Sequence, residues 1–200
     1  MLQTFKLIVI ALIGLGLGLG STYYAVERGQ DKGFGAGLIF GAVKAGPWTG
    51  WPKSGSRDAD PYARALFARN GETPLGLTEG LGFLARADAS GKPLSPSCDY
   101  VVKGSIPAAR FWTLSALSSQ GRPLPAISAR NGFTSSEILR DVEGGFEIKV
   151  SASAQPGNWL EVPTDQPLVL MLRLYDTALS ANPFSVTASA MPSITKEGCR

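Results

Sequence analysis

The fold is decided by one apolar stretch, "QPLVLMLRLYDT" (residues 166–177). Side chains of a β-strand alternate between its two faces, so a strand here places four leucines on one face and valine, methionine, arginine and tyrosine on the other. The leucines are Leu168, Leu170, Leu172 and Leu174. A strand that is apolar on both faces is covered on both sides, which predicts a central strand of a layered β-domain.

The arginine of this stretch, Arg173, lies on the second face beside Met171. It can lay its aliphatic stem over Met171 and hold its guanidinium at a carboxylate or at water. We interpret Arg173 as a largely buried ion pair that ties strands together, with Asp99, Asp141 or Glu79 as candidate partners. Such a pair predicts that Arg173→Leu lowers stability by about 3–5 kcal/mol. The alternative is an anion clamp in a shallow cleft.

Turn residues are abundant elsewhere, with 24 glycines and 14 prolines, which favours many short strands over a helical bundle. Further strands are predicted over residues 75–85, 98–103, 111–117, 146–151 and 193–195. In "GGFEIKVS" apolar and polar residues alternate, which is typical of an antiparallel sheet with one wet face. We predict a mainly β fold: an antiparallel, jelly-roll-like β-sandwich with one or two short helices, preceded by an N-terminal transmembrane helix.

Two local patterns predict structural residues of this domain. In "DPYARALFARNG", Asp60 can cap a short helix, and Pro61 occupies the first helical position, where its missing N–H costs nothing. In "RFWTLSALSS", Trp112 shares a face with Leu114 and is interpreted as a core anchor rather than a sugar-binding platform. We assign Trp159 a structural role as well.

Composition excludes several classes of function. The net charge is only +3 and the basic residues are scattered, so there is no stripe for a phosphate backbone, and we expect no nucleic-acid partner. The chain has no histidine, which removes Ser–His and Cys–His nucleophile pairs and His-ligated zinc. Acidic residues and cysteines do not cluster at metal-ligand spacing, so we predict neither a metal nor a cofactor.

An uncharged apolar run, residues 7–26, is long enough to cross a membrane. At 1.5 Å per residue it spans about 30 Å, the thickness of a bilayer core. Tyr23 and Tyr24 lie at one end, where aromatic rings prefer the headgroup level. We predict an uncleaved anchor; the alternative is a signal peptide cut near Ser21, for which Gly18 and Gly20 are a weak match.

The chain is therefore divided into a cytoplasmic tip (1–6), the anchor (7–26), a juxtamembrane linker (27–57) and the β-sandwich (58–200). The linker assignment rests on the Gly-, Pro- and Ser-rich stretch "GPWTGWPKSGSRDAD" (residues 46–60). We expect a single-pass inner-membrane protein with its C-terminal domain in the periplasm. The flanking basic residues alone do not set this orientation, but long domains translocate largely regardless of them.

The two cysteines, Cys98 and Cys199, are expected to form a disulfide. Two cysteines in an exported domain are more often paired than free, because the compartment oxidises them. The bond would fasten the C-terminal segment "SITKEGCR" to the middle of the sheet. The alternatives are two buried thiols or a redox pair, although no Cys-x-x-Cys motif is present.

Several segments together resemble the bacterial family catalogued as domain of unknown function 1214. They include "CDYVVKGSIPAARFWTLSALSSQG", "GFEIKVSA", "GNWLEVP" and "LVLMLRLYDT", in the expected order. The resemblance covers about three-quarters of the chain and implies a β-rich, jelly-roll-like sandwich, behind a single N-terminal membrane segment in short members. The family has no established reaction, so the resemblance implies no catalytic residue.

The leading hypothesis is a non-catalytic envelope module that contacts the membrane and binds a protein partner or a small-molecule or carbohydrate ligand. The candidate ligand-binding residues are Arg110, Arg173, Tyr175 and Asp176. The alternative is an enzyme that acts on envelope carbohydrate or lipid without histidine or metal, using the same four residues. A third hypothesis is a membrane-complex subunit whose helix packs through small residues. Because no carboxylate pair is recognisable, we lean against catalysis and assign no catalytic residue.

Overall fold

The computed structural model describes residues 2–31, 41–70, 73–125, 128 and 130–200. The domain is mainly β, as predicted, and is built from two sheets. Its elements in chain order are α1 (Leu2–Asp31), β1 (Val43–Ala45), β2 (Trp48–Gly50), α2 (Pro61–Asn70), β3 (Gly80–Ala85), β4 (Cys98–Gly104), β5 (Ala109–Ser118), β6 (Gly132–Thr134), β7 (Phe146–Ser151), β8 (Asn158–Glu161), β9 (Leu168–Thr177) and β10 (Ser193–Cys199). Three short 3₁₀ helices lie between β9 and β10.

The apolar strand β9 is central, as predicted. It lies between β3 and β5 in a six-stranded sheet of order β1-β2-β3-β9-β5-β6. All pairs in this sheet are antiparallel. The leucine face of β9 is fully buried between the sheets, and the opposite face carries Val169, Met171 and Arg173.

The second sheet has four strands in the order β10-β4-β7-β8. It differs from the predicted antiparallel arrangement in one place, because β7 and β8 pair in parallel. A short connection between β7 and β8 is sufficient for this parallel pairing. Because β8 has only four residues, the connection has to run back along β7 by only about 13 Å, at 3.3 Å per residue. The described strands establish a two-sheet β-domain with one parallel pair.

The core lies between the two sheets and contains the predicted tryptophan anchor. Trp112 is 4% exposed, and its ring centroid lies 5.1 Å from that of Phe146 on the facing sheet. This confirms Trp112 as a core residue. Trp159 is half-buried, and its indole N–H donates to the backbone carbonyl of Ser151 at 2.9 Å, which fits the structural role predicted for it.

The sheet begins earlier in the chain than the predicted linker allows. Residues 43–50, placed in the linker on composition, form β1 and β2. Trp48 is completely buried, and its indole N–H donates to the carbonyl of Pro192 at 2.7 Å. This hydrogen bond joins two residues that are 144 positions apart, so it is a tertiary contact that local composition does not reveal. Residues 32–40 of the predicted linker lie outside the described residues.

The helix α2 begins as predicted. Pro61 is its first residue, and the carboxylate of Asp60 accepts a hydrogen bond from the N–H of Ala63 at 3.2 Å. This contact satisfies one of the N–H groups that the first turn of a helix leaves without a partner. Among the side chains of α2 that the structure describes, Ala63 and Phe67 pack against the six-stranded sheet.

The predicted disulfide is present between Cys98 and Cys199, with an S–S distance of 1.99 Å. The two residues lie opposite each other on β4 and β10. Arg200 adds to this attachment, because its guanidinium contacts the carboxylate of Asp99 at 2.7 Å. The C-terminal strand is therefore joined to the middle of the four-stranded sheet by a covalent bond and an ion pair.

The N-terminal helix α1 contains the predicted membrane segment. Within the described residues, one helix is long and apolar enough to cross a membrane: its segment Gln3–Tyr24 has 22 residues and a mean hydropathy of 1.9. The leucine and isoleucine side chains along it are exposed. Such a segment is consistent with an anchor or with a signal sequence.

Candidate functional site

One end of the outer face of the six-stranded sheet is covered by α2. Ala63 and Phe67 of the helix pack against Leu84 of β3 and against Val169 and Met171 of β9. The cluster is small because the helix covers only part of the sheet. Beyond the edge of α2, along β3 and β9, the outer face becomes a cleft.

We call this feature the Arg173 cleft. Its floor is formed by Gly80 and Gly82 of β3, and Arg173 of β9 lies at its side. The cleft is open to solvent, and its deepest part, of about 30 Å³, has room for about two water molecules. Polar and apolar atoms contribute almost equally to the exposed lining. Its apolar side chains include Trp51, Phe67, Leu75, Leu84 and Met171, and Ser54 is a second polar side chain.

Arg173 differs from its predicted role as a buried ion pair. It is half-buried, and among the residues described it forms no ion pair or side-chain hydrogen bond. Its proposed partners are engaged elsewhere. Asp99 pairs with Arg200, Asp141 accepts hydrogen bonds from the backbone of its own turn, and Glu79 accepts one from the N–H of Gly76.

The ion-pair interpretation fails because strand alternation fixes the face of a side chain but not which loops come near it. Glu79 precedes the strand, Asp99 lies on the other sheet, and Asp141 lies in the loop before β7. Arg173 instead lines the cleft, a position that the alternative interpretation, an anion clamp, requires.

The four sequence-predicted ligand residues do not form a single site. Arg110 and Asp176 contact each other at 3.4 Å, and their side chains are 82% and 72% exposed. Tyr175 instead packs against Phe111, with 5.8 Å between ring centroids. Because Arg110 precedes Phe111 in β5, alternation places it on the opposite face from the Phe111–Tyr175 pair and Arg173. Only Arg173 lines the cleft.

Glycine occupies the two floor positions, 80 and 82, for different structural reasons. A Cβ on Gly80 would lie 2.0 Å from the carbonyl oxygen of Leu174, so no side chain fits there. A Cβ on Gly82 would meet only the sulfur of Met171, at 3.8 Å, which is ordinary contact. Gly80 is therefore required by the close approach of β3 and β9, whereas Gly82 leaves open the space beside Arg173.

We predict that Gly80→Ala and Gly82→Ala have opposite outcomes. Gly80→Ala should lower the free energy of unfolding by about 2–3 kcal/mol, because β3 and β9 must separate to admit the methyl group. Gly82→Ala should change it by less than about 0.5 kcal/mol. Urea unfolding followed by tryptophan fluorescence measures both. Equal effects of the two substitutions would contradict the register in which β3 pairs with β9.

Asn158 is a buried polar residue that sequence reasoning missed. Its side-chain amide donates to the carbonyls of Leu139 and Glu147, and its oxygen accepts from the N–H of Leu139, each at 2.8 Å. It thereby joins the loop before β7 to the start of β8. The only sequence signal was its place in the stretch "GNWL", which carried part of the family resemblance.

Asn158 also lines a second cavity, of about 320 Å³, on the four-stranded sheet. This cavity is rich in charge, but two of its cations are engaged: Lys103 pairs with Glu147 at 3.2 Å, and Arg140 donates to the carbonyl of Gly144 at 2.9 Å. The third cation of this cavity, Lys149, forms no ion pair or side-chain hydrogen bond among the described residues. Arg173 differs from it in that a planar guanidinium can bind an anion through two parallel hydrogen bonds.

Asp88 is a buried carboxylate in the turn between β3 and β4. Its Oδ1 atom accepts hydrogen bonds from the hydroxyl of Ser90 at 2.6 Å and from the N–H groups of Ser90 and Lys92. The bond from the Ser90 hydroxyl is the main cause that lowers the pKa of Asp88 below its ordinary value of 3.8, against the opposing effect of burial.

This pKa shift predicts a pH-dependent contribution to stability. Since the pKa is lower in the folded state, the ionised carboxylate stabilises the fold above pH 3.8, and this contribution is lost as the pH falls through the folded-state pKa. Asp88→Asn should therefore be less stable than the wild type at pH 7, and the difference should shrink toward pH 2–3. Urea unfolding across this pH range, with exposed Asp165→Asn as the matched control, measures it. A difference that grows on acidification would contradict the assignment.

The protein therefore consists of an apolar N-terminal helix followed by a two-sheet, mainly β domain. The Arg173 cleft lies on the outer face of the six-stranded sheet. The chain belongs to the family described as "Protein of unknown function (DUF1214)", whose model matches residues 79–179. This range includes β3, β4, β5 and β9, and with them Gly80, Gly82 and Arg173 of the cleft floor and side. A search of curated proteins found no match.

Two solved structures are similar to this chain. The VPA0106 protein from Vibrio parahaemolyticus is 23% identical with a TM-score of 0.54, over 70% of this chain and 36% of that one. An uncharacterized protein from Burkholderia cenocepacia is 14% identical with a TM-score of 0.46, over 91% of this chain and 50% of that one. The chain thus spans half or less of either structure, and the first supports the fold alone.

Proposed function

We propose that the protein is a membrane-anchored module of the cell envelope that binds an anionic small ligand in the Arg173 cleft. The observation that carries this proposal is the half-buried Arg173, which lacks a protein partner among the described residues while it lines a concavity beside several apolar side chains. A guanidinium without a carboxylate in such a wall favours an anion from outside the chain. Ser54 supplies a second polar group in the same wall.

Location in the envelope is supported by two independent features. The exposed apolar segment Gln3–Tyr24 suits a bilayer, and the Cys98–Cys199 disulfide suits an oxidising compartment. The simplest arrangement that satisfies both is a single-pass inner-membrane protein whose β-domain lies in the periplasm.

The arrangement is tested with a reporter fused after Arg200. Alkaline phosphatase, which needs an oxidising compartment, should be active in the fusion, and a fluorescent protein that folds only in the cytoplasm should be dark. The reverse pattern would place the domain in the cytoplasm and reject the envelope proposal. A fusion that lacks residues 1–31 is the matched control and should reverse both signals.

A further inference from the structure

We infer that the ligand of the Arg173 cleft is a monocarboxylate with a short aliphatic chain. This inference rests on the proposed function and names the class of ligand. It combines the charge at the side of the cleft, the apolar side chains of its wall and the open floor beside the guanidinium.

The charge favours a carboxylate over other anions. Arg173 presents a planar fork of N–H donors that matches the two oxygens of a carboxylate, and bidentate pairs of this kind are strong. Arg173 is the one cation that lines the cleft in the described part of the chain. A single positive group balances a monoanion, whereas a doubly charged phosphate would keep one charge uncompensated beside apolar side chains.

The wall favours an aliphatic chain next to that carboxylate. Phe67, Leu84 and Met171 contribute apolar surface from α2, β3 and β9, and the cleft also borders on Trp51 and Leu75. Each methylene group that leaves water for such a surface makes binding more favourable.

The floor of the cleft gives the carboxylate access to Arg173. The cross-strand neighbours of Arg173 are Gly82 on β3 and Thr113 on β5. Because Gly82 has no side chain and its Cβ position is unobstructed apart from Met171, the side of Arg173 toward β3 is open. A larger residue at position 82 would fill this space without a backbone clash, which provides a variant that closes the cleft and keeps the arginine.

The test is equilibrium binding of radiolabelled hexanoate to the full-length protein in nanodiscs of zwitterionic lipid, with empty nanodiscs subtracted. The wild type should bind saturably, one hexanoate per chain. Arg173→Met should weaken binding about 10- to 100-fold, the range expected for lost hydrogen bonds to a charged group. Gly82→Leu should weaken it at least as much, and Arg122→Met, an exposed arginine outside the cleft, should leave it unchanged.

Folding is monitored in parallel, and Arg173→Met should unfold within a few degrees of the wild type because no protein partner is left unpaired. If Gly82→Leu unfolds, Gly82→Ala replaces it, with a smaller loss of affinity expected. Unlabelled hexanoate should compete, whereas hexanol, hexylamine and inorganic phosphate should not.

Several results would overturn the inference: no saturable binding, binding that survives Arg173→Met, or competition by phosphate as strong as by hexanoate. Arg173-dependent binding of phosphate in place of hexanoate would reject the monocarboxylate class and leave the proposed function standing. An active cytoplasmic reporter would reject the proposed function independently of any ligand.

Discussion

Replacing both cysteines, Cys98→Ala with Cys199→Ala, is expected to lower the free energy of unfolding by about 4–5 kcal/mol. The disulfide closes a loop with a sequence separation of 101 residues, so its loss frees a long stretch of the unfolded chain. Urea unfolding of the full chain in nanodiscs measures the change. Ile194 of β10 is buried in the core and is unchanged in the variant. We therefore expect β10 still to pair with β4 in the native state of the variant.

Reduction of the wild type provides the control for this prediction. A reducing agent should reproduce the loss in the wild type and leave the double variant unaffected. If the double variant is as stable as the oxidised wild type, the bond does not constrain the unfolded chain as described, and the attachment of the C-terminus must come from its non-covalent contacts.

Asn158→Asp is expected to lower the free energy of unfolding by about 3–5 kcal/mol. The amide nitrogen donates to two backbone carbonyls, of Leu139 and Glu147, and a carboxylate oxygen in its place would face both as a third acceptor. Asn158 is only 7% exposed, so water cannot easily separate these groups.

The matched control is Asn182→Asp, which makes the same chemical change at an exposed position without a side-chain capping bond. It should leave stability within about 0.5 kcal/mol of the wild type. Urea unfolding at pH 7 compares the two variants. If Asn158→Asp costs no more than Asn182→Asp, the amide does not hold the loop before β7.

The sequence could predict those parts of the fold that depend on local pattern. The alternation of residues 168–177 placed the leucines on one face of the strand and Arg173 on the other, and Asp60 with Pro61 placed the start of α2. Strand alternation also placed Trp112 in the core. In each case the signal lies within a few residues and does not depend on the rest of the chain.

The parts that were missed depend on contacts between distant segments. Residues 46–50 are rich in glycine and look like a linker, yet Trp48 is buried because the chain near Pro192 closes over it. Asn158 is recognisable as structural only once the backbone of Leu139 lies beside it. Likewise, the sequence placed Arg173 on a face but could not show that Glu79 binds Gly76 instead.

We propose that an intact membrane anchor holds an oxidised domain outside the cytoplasm, and a single mass measurement tests both the anchor and the oxidation state. Protein extracted from membranes is alkylated without reduction, and its intact mass is determined. We predict the mass of the full-length chain, about 21.0 kDa, with no alkylated thiol, because residues 2–26 are retained and Cys98 and Cys199 are joined. A mass that corresponds to a new N-terminus near Ser21, or a full-length mass with two alkylated cysteines, would contradict the account.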